Sequence, residues 1–257
     1  MMDEGGVEVD GKSDEVMLKV ICETDAGGMN HVICVVPSDV LSPDKLSYSE
    51  PGAYRPIALL DTITKVLSSC IAKDLTKFSK IHSLLPPNHF SCRPGRTTTD
   101  ALHYLTSYMK DAWRRNKVVG ALFLDIKVPS VILDTLLASM RRRGIPKEYT
   151  EWICRKVTNC TTRICFDDFR APIEAIKRSI DQGCPLSGIL FIFYNVDLLE
   201  ITKKANGEDS IAVVDDITIL ATGEDLEEAF GKLELCVGTS LSIPNSLTSF
   251  LLIRISY

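Results

Sequence analysis

Asp125 closes the apolar run Gly120-Ala121-Leu122-Phe123-Leu124, and Asp215-Asp216 separate the apolar stretch 210–214 from 217–220. Carboxylates at strand ends can be gathered across a sheet, where their hard oxygens hold divalent cations close enough together for phosphoryl or nucleotidyl transfer. Between them in the chain lies Gln182-Gly183-Cys184-Pro185-Leu186-Ser187, a glycine-bearing junction leading into an apolar segment. A strand-terminal Asp or an Asp-Asp pair also makes an ordinary turn, so the weight of these residues rests on the elements around them.

Those elements follow from periodicity. After Asp61, the residues Ile63, Val66, Leu67, Cys70, Ile71, Leu75 and Phe78 recur at helical spacing, and Pro86-Pro87 ends the pattern. Arg93-Pro94-Gly95-Arg96 reads as a loop, and Thr97 with Asp100 three residues on offers a capping box to a helix carrying Leu102, Leu105, Met109 and Trp113. A strand is expected over 119–124, then helices over 131–143 and 147–157, the first stopped by Gly144 and Pro146. Residues 161–166 and 173–176 predict a hairpin about Asp167-Asp168, 186–204 a long apolar helix, 210–221 two strands about Asp215-Asp216, and 224–235 a last helix. Residues 32–36 suit a short strand ended by Pro37, while 1–30 are acidic and without clear period, which predicts poor order. The order of elements is that of an α+β fold with a mainly antiparallel sheet packed on helices.

The 257 residues carry a net charge of −5, unevenly spread. Residues 51–120 hold eleven Lys/Arg against four Asp/Glu, whereas the first fifty hold three against eleven. A basic block with Tyr, His and Trp interleaved suits nucleic-acid phosphates, although charge alone also describes a solvated surface. The nine cysteines include no Cys-x-x-Cys pair, and with four histidines they suit free thiols better than a zinc site. No apolar run has the length of a bilayer span, and the first residues lack the order of a secretory signal.

Six stretches, in order, resemble the reverse transcriptase domain of non-LTR (LINE-type) retrotransposons. They are Tyr54-Arg55-Pro56-Ile57-Ala58-Leu59-Leu60, Leu84-Leu85-Pro86-Pro87-Asn88-His89-Phe90, the run from Arg93 through Asp100, Ala121 through Lys127, Asp181 through Gly188, and Val214-Asp215-Asp216. The resemblance implies a right-hand polymerase: basic fingers over 31–118, a palm over 119–235, a thumb largely missing, and an unrelated tail over 236–257. By matching position Asp125, Asp215 and Asp216 would be both catalytic and metal-holding, with two Mg²⁺ ions (or Mn²⁺) as cofactor. Arg55 and Lys65 would reach the nucleotide triphosphate, Arg93 and Arg96 the template backbone, and Gln182-Gly183 would set a bare backbone against the incoming nucleotide. The implied partners are an RNA template, a DNA primer and dNTPs, with no membrane; the implied location is nuclear or cytoplasmic. Tyr54, Tyr104 and Tyr108 have the chemistry to stack on bases, but core packing suits each better.

The chain also departs from the family pattern. Lys127 runs straight into Val128-Pro129-Ser130, two residues short, and Ser130 stands where the family has an aromatic gate against the ribose 2′-hydroxyl. Two lost residues would turn a following helix by about 200°, a strain expected to fall near Asp125. Val213 replaces an aromatic, and the strand before Tyr54 keeps few of the family's Lys and Pro residues; no endonuclease segment is expected before the domain. Two readings follow: a polymerase domain within a longer element protein, or a remnant keeping the fold and nucleic-acid binding without catalysis.

Overall fold

The computed structural model of the chain describes residues 30–37, 54–126, 133–166, 169–178, 180, 182–214, 216–242 and 247–255. The acidic segment expected to be poorly ordered, the shortened stretch after Lys127, Asp167-Asp168 and Asp215 lie outside the described residues.

Two sheets organise the chain. The first contains β1 (Asn30–Pro37), antiparallel to β2 (Tyr54–Leu59) and parallel to β4 (Thr158–Phe166). β4 also pairs antiparallel with β5 (Phe169–Arg170) and β6 (Glu174–Arg178). The hairpin expected about residues 167–168 is therefore present, and it joins a sheet whose other strands come from before residue 60.

The second sheet positions the carboxylates. Its order is β7 (Glu208–Val213), β8 (Asp216–Gly223), β3 (Val118–Ile126) and β9 (Leu247–Ile255), antiparallel throughout. Residues 118–124 read as one apolar run because both faces of β3 are covered. Leu122 and Leu124 enter the main core, and Ala121 joins Phe90, Ala101, Ile211 and Leu220 in a smaller cluster on the other face. α2 (Thr98–Arg114) packs on that second face, and α6 (Leu226–Ser242) packs on β3 and β8. At the α6 contact a Cβ on Gly120 would lie 2.9 Å from Leu233 Cδ1.

α5 (Ser187–Leu199) is buried at nearly every position from Ile189 to Leu199, as a helix apolar all round must be. It contacts α1 (Thr62–Ile81), α3 (Leu133–Arg142) and β7. The Arg143 guanidinium locks this packing, reaching Asp197 at 2.8 Å, Glu200 through both oxygens at 2.7 and 2.8 Å, and the Leu84 carbonyl at 3.1 Å. α4 runs Lys147–Val157, as its sequence predicts.

Four expectations are corrected. Ile63 and Val66 of α1 are 82% and 59% exposed, and the buried line is Thr64, Ser68, Ile71, Leu75 and Ser79. Small hydroxyl residues let the helix approach closely, and Ser79 satisfies its own hydroxyl on the Leu75 carbonyl. Of the apolar residues whose spacing predicted α2, Leu102 is 60% exposed. The long apolar helix ends at Leu199 rather than Lys204, where the chain turns so that the Lys203 amide meets Glu208 Oε2 at 2.9 Å. The last helix, expected over 224–235, runs Leu226–Ser242, and the tail segment Leu247–Ile255 adds β9 to the sheet.

Candidate active site

β3 and β8, the two central strands, pair without a break from Val118↔Gly223 to Asp125↔Asp216. Directly opposed residues on antiparallel strands stand about 5 Å apart at Cβ, so the ladder sets two carboxyl-bearing positions side by side. On its other edge β3 pairs Asp125 with Ser249, and the register shifts between Asp125 and Ile126. Bulges of this kind re-aim a strand and recur beside active sites. Asp216 is exposed; Asp215 and the Asp125 side chain lie outside the described residues. Among the described residues no three His, Cys, Asp or Glu side chains gather as a metal site.

The backbone entering Asp215-Asp216 is unusual. Val214 has φ +56°, and it is the β-branched member of the four described non-glycine residues with positive φ. A left-handed conformation costs such a residue about 1–2 kcal/mol. Its amide donates to the buried Ser91 hydroxyl, and its carbonyl accepts from Asn195 Nδ2 at 2.9 Å. Asn195 Oδ1 in turn lies 3.3 Å from His89 Nε2. Because the Asn195 amide must donate to a carbonyl, its oxygen faces the ring, and His89 carries its proton on Nε2.

Ser91 and His89 belong to an extended strap along the free edge of β7. The Phe90 amide donates to the Ala212 carbonyl at 2.9 Å, the Ala212 amide to the Asn88 carbonyl at 3.1 Å, and Asn88 Nδ2 to the Ser210 carbonyl at 2.5 Å. The strap covers an edge that would otherwise present unpaired amides. Burial presses the His89 pKa down from 6.5 to about 4, the Asn195 bond opposing and Arg93 adding to the fall.

The remaining candidates divide between the site and the scaffold. The Gln182 carbonyl accepts from the Ala58 amide at 2.8 Å, so the Gln-Gly junction docks on β2, the strand that carries Arg55 opposite Val36. Gly183 has φ +105°, and a Cβ there would lie 3.0 Å from the Ala58 carbonyl oxygen. Here the glycine serves a close backbone approach within the protein. Lys65 is exposed in the first turn of α1. Arg93 is half-buried, with Nη1 on the carbonyls of Pro86 at 2.6 Å and His89 at 3.4 Å; burial and the neighbouring Arg96 lower its pKa. Arg96 is exposed, its guanidinium 5.4 Å from the centre of the Phe90 ring. Tyr104 and Tyr108 are engaged inside the protein, on Asp209 Oδ2 at 2.5 Å and the Gly207 carbonyl at 2.6 Å. The capping box of α2 forms as expected, Thr97 and Asp100 bonding reciprocally.

Two cavities flank these elements. One, of about 770 Å³, is lined by Lys73, Lys77 and Lys80 of α1, by Arg93 and Arg96, and by Pro185. The other, of about 670 Å³, surrounds Tyr108, Lys117, Gly207 and Thr222 at the far end of the sheet. Seven residues along β3, about 23 Å, separate the Val118 end of the ladder from Asp125. The basic block and the Leu84–Phe90 stretch are visible in the sequence, but the contacts of the strap and of Asn195 with Val214 are not, since they join segments far apart in the chain.

An antiparallel sheet backed by helices, with aspartate positions at the ends of its two central strands, has the architecture of a polymerase palm. The chain belongs to the reverse transcriptase (RNA-dependent DNA polymerase) family, whose model matches residues 43–240. Its relatives include the probable RNA-directed DNA polymerase from transposon X-element of Drosophila melanogaster, 23% identical over 66% of this chain and 19% of that protein. The RNA-directed DNA polymerase from mobile element jockey of Drosophila funebris is 25% identical over 76% and 22%. The Pol polyprotein from type-1 retrotransposable element R2 of Popillia japonica is 24% identical over 72% and 26%. These relatives accord with the LINE-type assignment, and the chain spans about a fifth to a quarter of their length. The fold is shared with apo telomerase from Candida tropicalis, with TM-score 0.61, 10% identity, and 96% and 56% of the two chains covered. Among the described residues no helix is long and apolar enough to cross a membrane.

Proposed function

We propose that this chain is the fingers and palm of a retrotransposon RNA-directed DNA polymerase, one that extends a DNA primer 3′ end with dNTPs on an RNA template. The observation that carries the reading is the direct opposition of Asp125 and Asp216 at the end of the central ladder, with Asp215 adjacent in sequence. Carboxylate oxygens suit a hard cation such as Mg²⁺ or Mn²⁺, and Asp125, Asp215 and Asp216 would hold it. When bound, two such ions activate the primer hydroxyl and offset charge on the α-phosphate and pyrophosphate. The chain's own residues bind and orient. The docking of Gln182-Gly183 on β2 brings Arg55's strand to the junction, so Arg55, with Lys65 on the following helix, serves the triphosphate. Lys73, Lys77, Lys80, Arg93 and Arg96 give the template backbone a basic groove. A nuclear or cytoplasmic site of action follows from the same reading.

Primer extension on an RNA template with Mg²⁺ tests this directly. The chain should yield product, and Asp216→Asn should abolish it while the far-ultraviolet circular dichroism stays unchanged. No product from the unaltered chain, or equal product from the variant, would overturn the reading.

A further inference from the structure

The structure assigns Ser91 and Asn195 as positioning residues that hold Val214 left-handed and so set the path of the backbone into Asp215-Asp216. The inference rests on the polymerase reading for its consequence, but its geometry stands apart from it. The two groups take opposite sides of one residue: the Ser91 hydroxyl accepts from the Val214 amide, and Asn195 Nδ2 donates to the Val214 carbonyl. Both holders are themselves held. Asn195 is wholly buried on α5 with its amide oriented by His89, and Ser91 sits in the strap bonded to β7 at Asn88 and Phe90. Val214 alone gains nothing from this conformation, since a β-branched residue disfavours it. Released on either side, it returns to an extended or right-handed backbone, and the residues after it turn away from the end of β3. Neither Ser91 nor Asn195 touches substrate in this account; they act through Val214.

The inference is tested by removing each hydrogen bond with and without the strain it opposes. Ser91→Ala and Asn195→Ala are each combined with Val214→Gly, because glycine takes the left-handed region without steric cost. Each alanine variant should lower kcat about ten-fold or more with the primer–template KM unchanged, as expected for misplacement of reacting groups. In the Val214→Gly background the same changes should cost less than about three-fold. Amide hydrogen exchange gives a readout independent of activity: the Val214 amide should lose protection in Ser91→Ala, while amides of α4 keep theirs. Equal losses of kcat in both backgrounds would overturn the positioning role and leave the polymerase reading intact. Should the unaltered chain extend no primer, that reading fails and exchange decides alone; unchanged Val214 protection in Ser91→Ala then overturns the inference. Should Ser91→Ala fail to fold, the Asn195→Ala pair carries the same test from the other side.

Discussion

His89 should make the stability of this domain fall steeply between pH 6.5 and 4.5. The ring is fully buried, its Nε2 is committed to Asn195, and Nδ1 has no hydrogen-bond partner among the described residues. The facing charge is Arg93, whose guanidinium lies on the carbonyls of Pro86 and of His89 itself. A proton on Nδ1 would therefore be buried, unsolvated and near a cation, which is why the pKa is pressed from 6.5 to about 4. The sign follows from proton counts. Between these values the unfolded chain binds a proton that the folded chain refuses, so stability is full above pH 6.5 and is lost as pH falls toward 4. At about 1.4 kcal/mol per pH unit the full effect is about 3 kcal/mol, of which about 2.5 is reached by pH 4.5. Asp61, Asp100 and Glu228, whose pKa values are lowered by hydrogen bonds led respectively by Thr64, Thr97 and Lys232, lose their contributions in more acid solution, below the ordinary carboxylate range. Urea unfolding at pH 7.0 and 4.5 measures the difference. His89→Gln retains an amide donor toward Asn195 but cannot titrate, and should flatten the dependence over this window. An unchanged midpoint in the unaltered chain, or an equally steep fall in the variant, would refute the reasoning.

Two other expectations concern the scaffold and the groove. Gly183→Ala should destabilise the chain by about 2–3 kcal/mol, because φ +105° is strained for alanine and its Cβ would meet the Ala58 carbonyl oxygen at 3.0 Å. Chemical denaturation reads this, and a loss under about 0.5 kcal/mol would contradict the docking of the junction on β2. Replacing Lys73, Lys77 and Lys80 together by Gln should weaken RNA binding and reduce its salt slope by about two, at about 0.7 per phosphate contact. A filter-binding slope identical to that of the unaltered chain would remove the groove from the interface.

What was legible in the sequence is what local chemistry decides. The capping box at Thr97 and Asp100 lies within four residues, and α4 is bounded by a proline before it and β-favouring residues after it, so both emerge as expected. β3 follows the apolar run through Asp125 to Ile126. Ile63 and Val66 fit the helical spacing yet are exposed, because periodicity counts apolar residues, whereas the buried line of α1 includes Ser68 and Ser79. Glu208 and Asp209 look like turn residues, yet both lie buried in β7, their oxygens accepting hydrogen bonds from the Lys203 amide, from Tyr104 and from the Ser210 amide. The strap was illegible for a different reason. Ser91 and Val214 stand 123 residues apart, and neither residue type announces the other.

The irregularities of the second sheet fall beside its aspartates. From Val118↔Gly223 to Leu124↔Ile217 the ladder is continuous, whereas the register on the β9 side shifts directly after Asp125, and the chain enters Asp215-Asp216 from a left-handed valine. Regular ladders maximise hydrogen bonding, so departures confined to these points require restraint from elsewhere. For Val214 the restraint is the strap and Asn195. For Asp125 it is β9, whose Ser249 pairs with Asp125 from the far side and which carries none of the motifs that mark the family. The segment least informative as sequence thus holds the strand of the first carboxylate from one side, as β8 does from the other. Ending the chain before Leu247 should lower amide hydrogen-exchange protection along β3 while leaving every motif in place; unchanged protection would refute this.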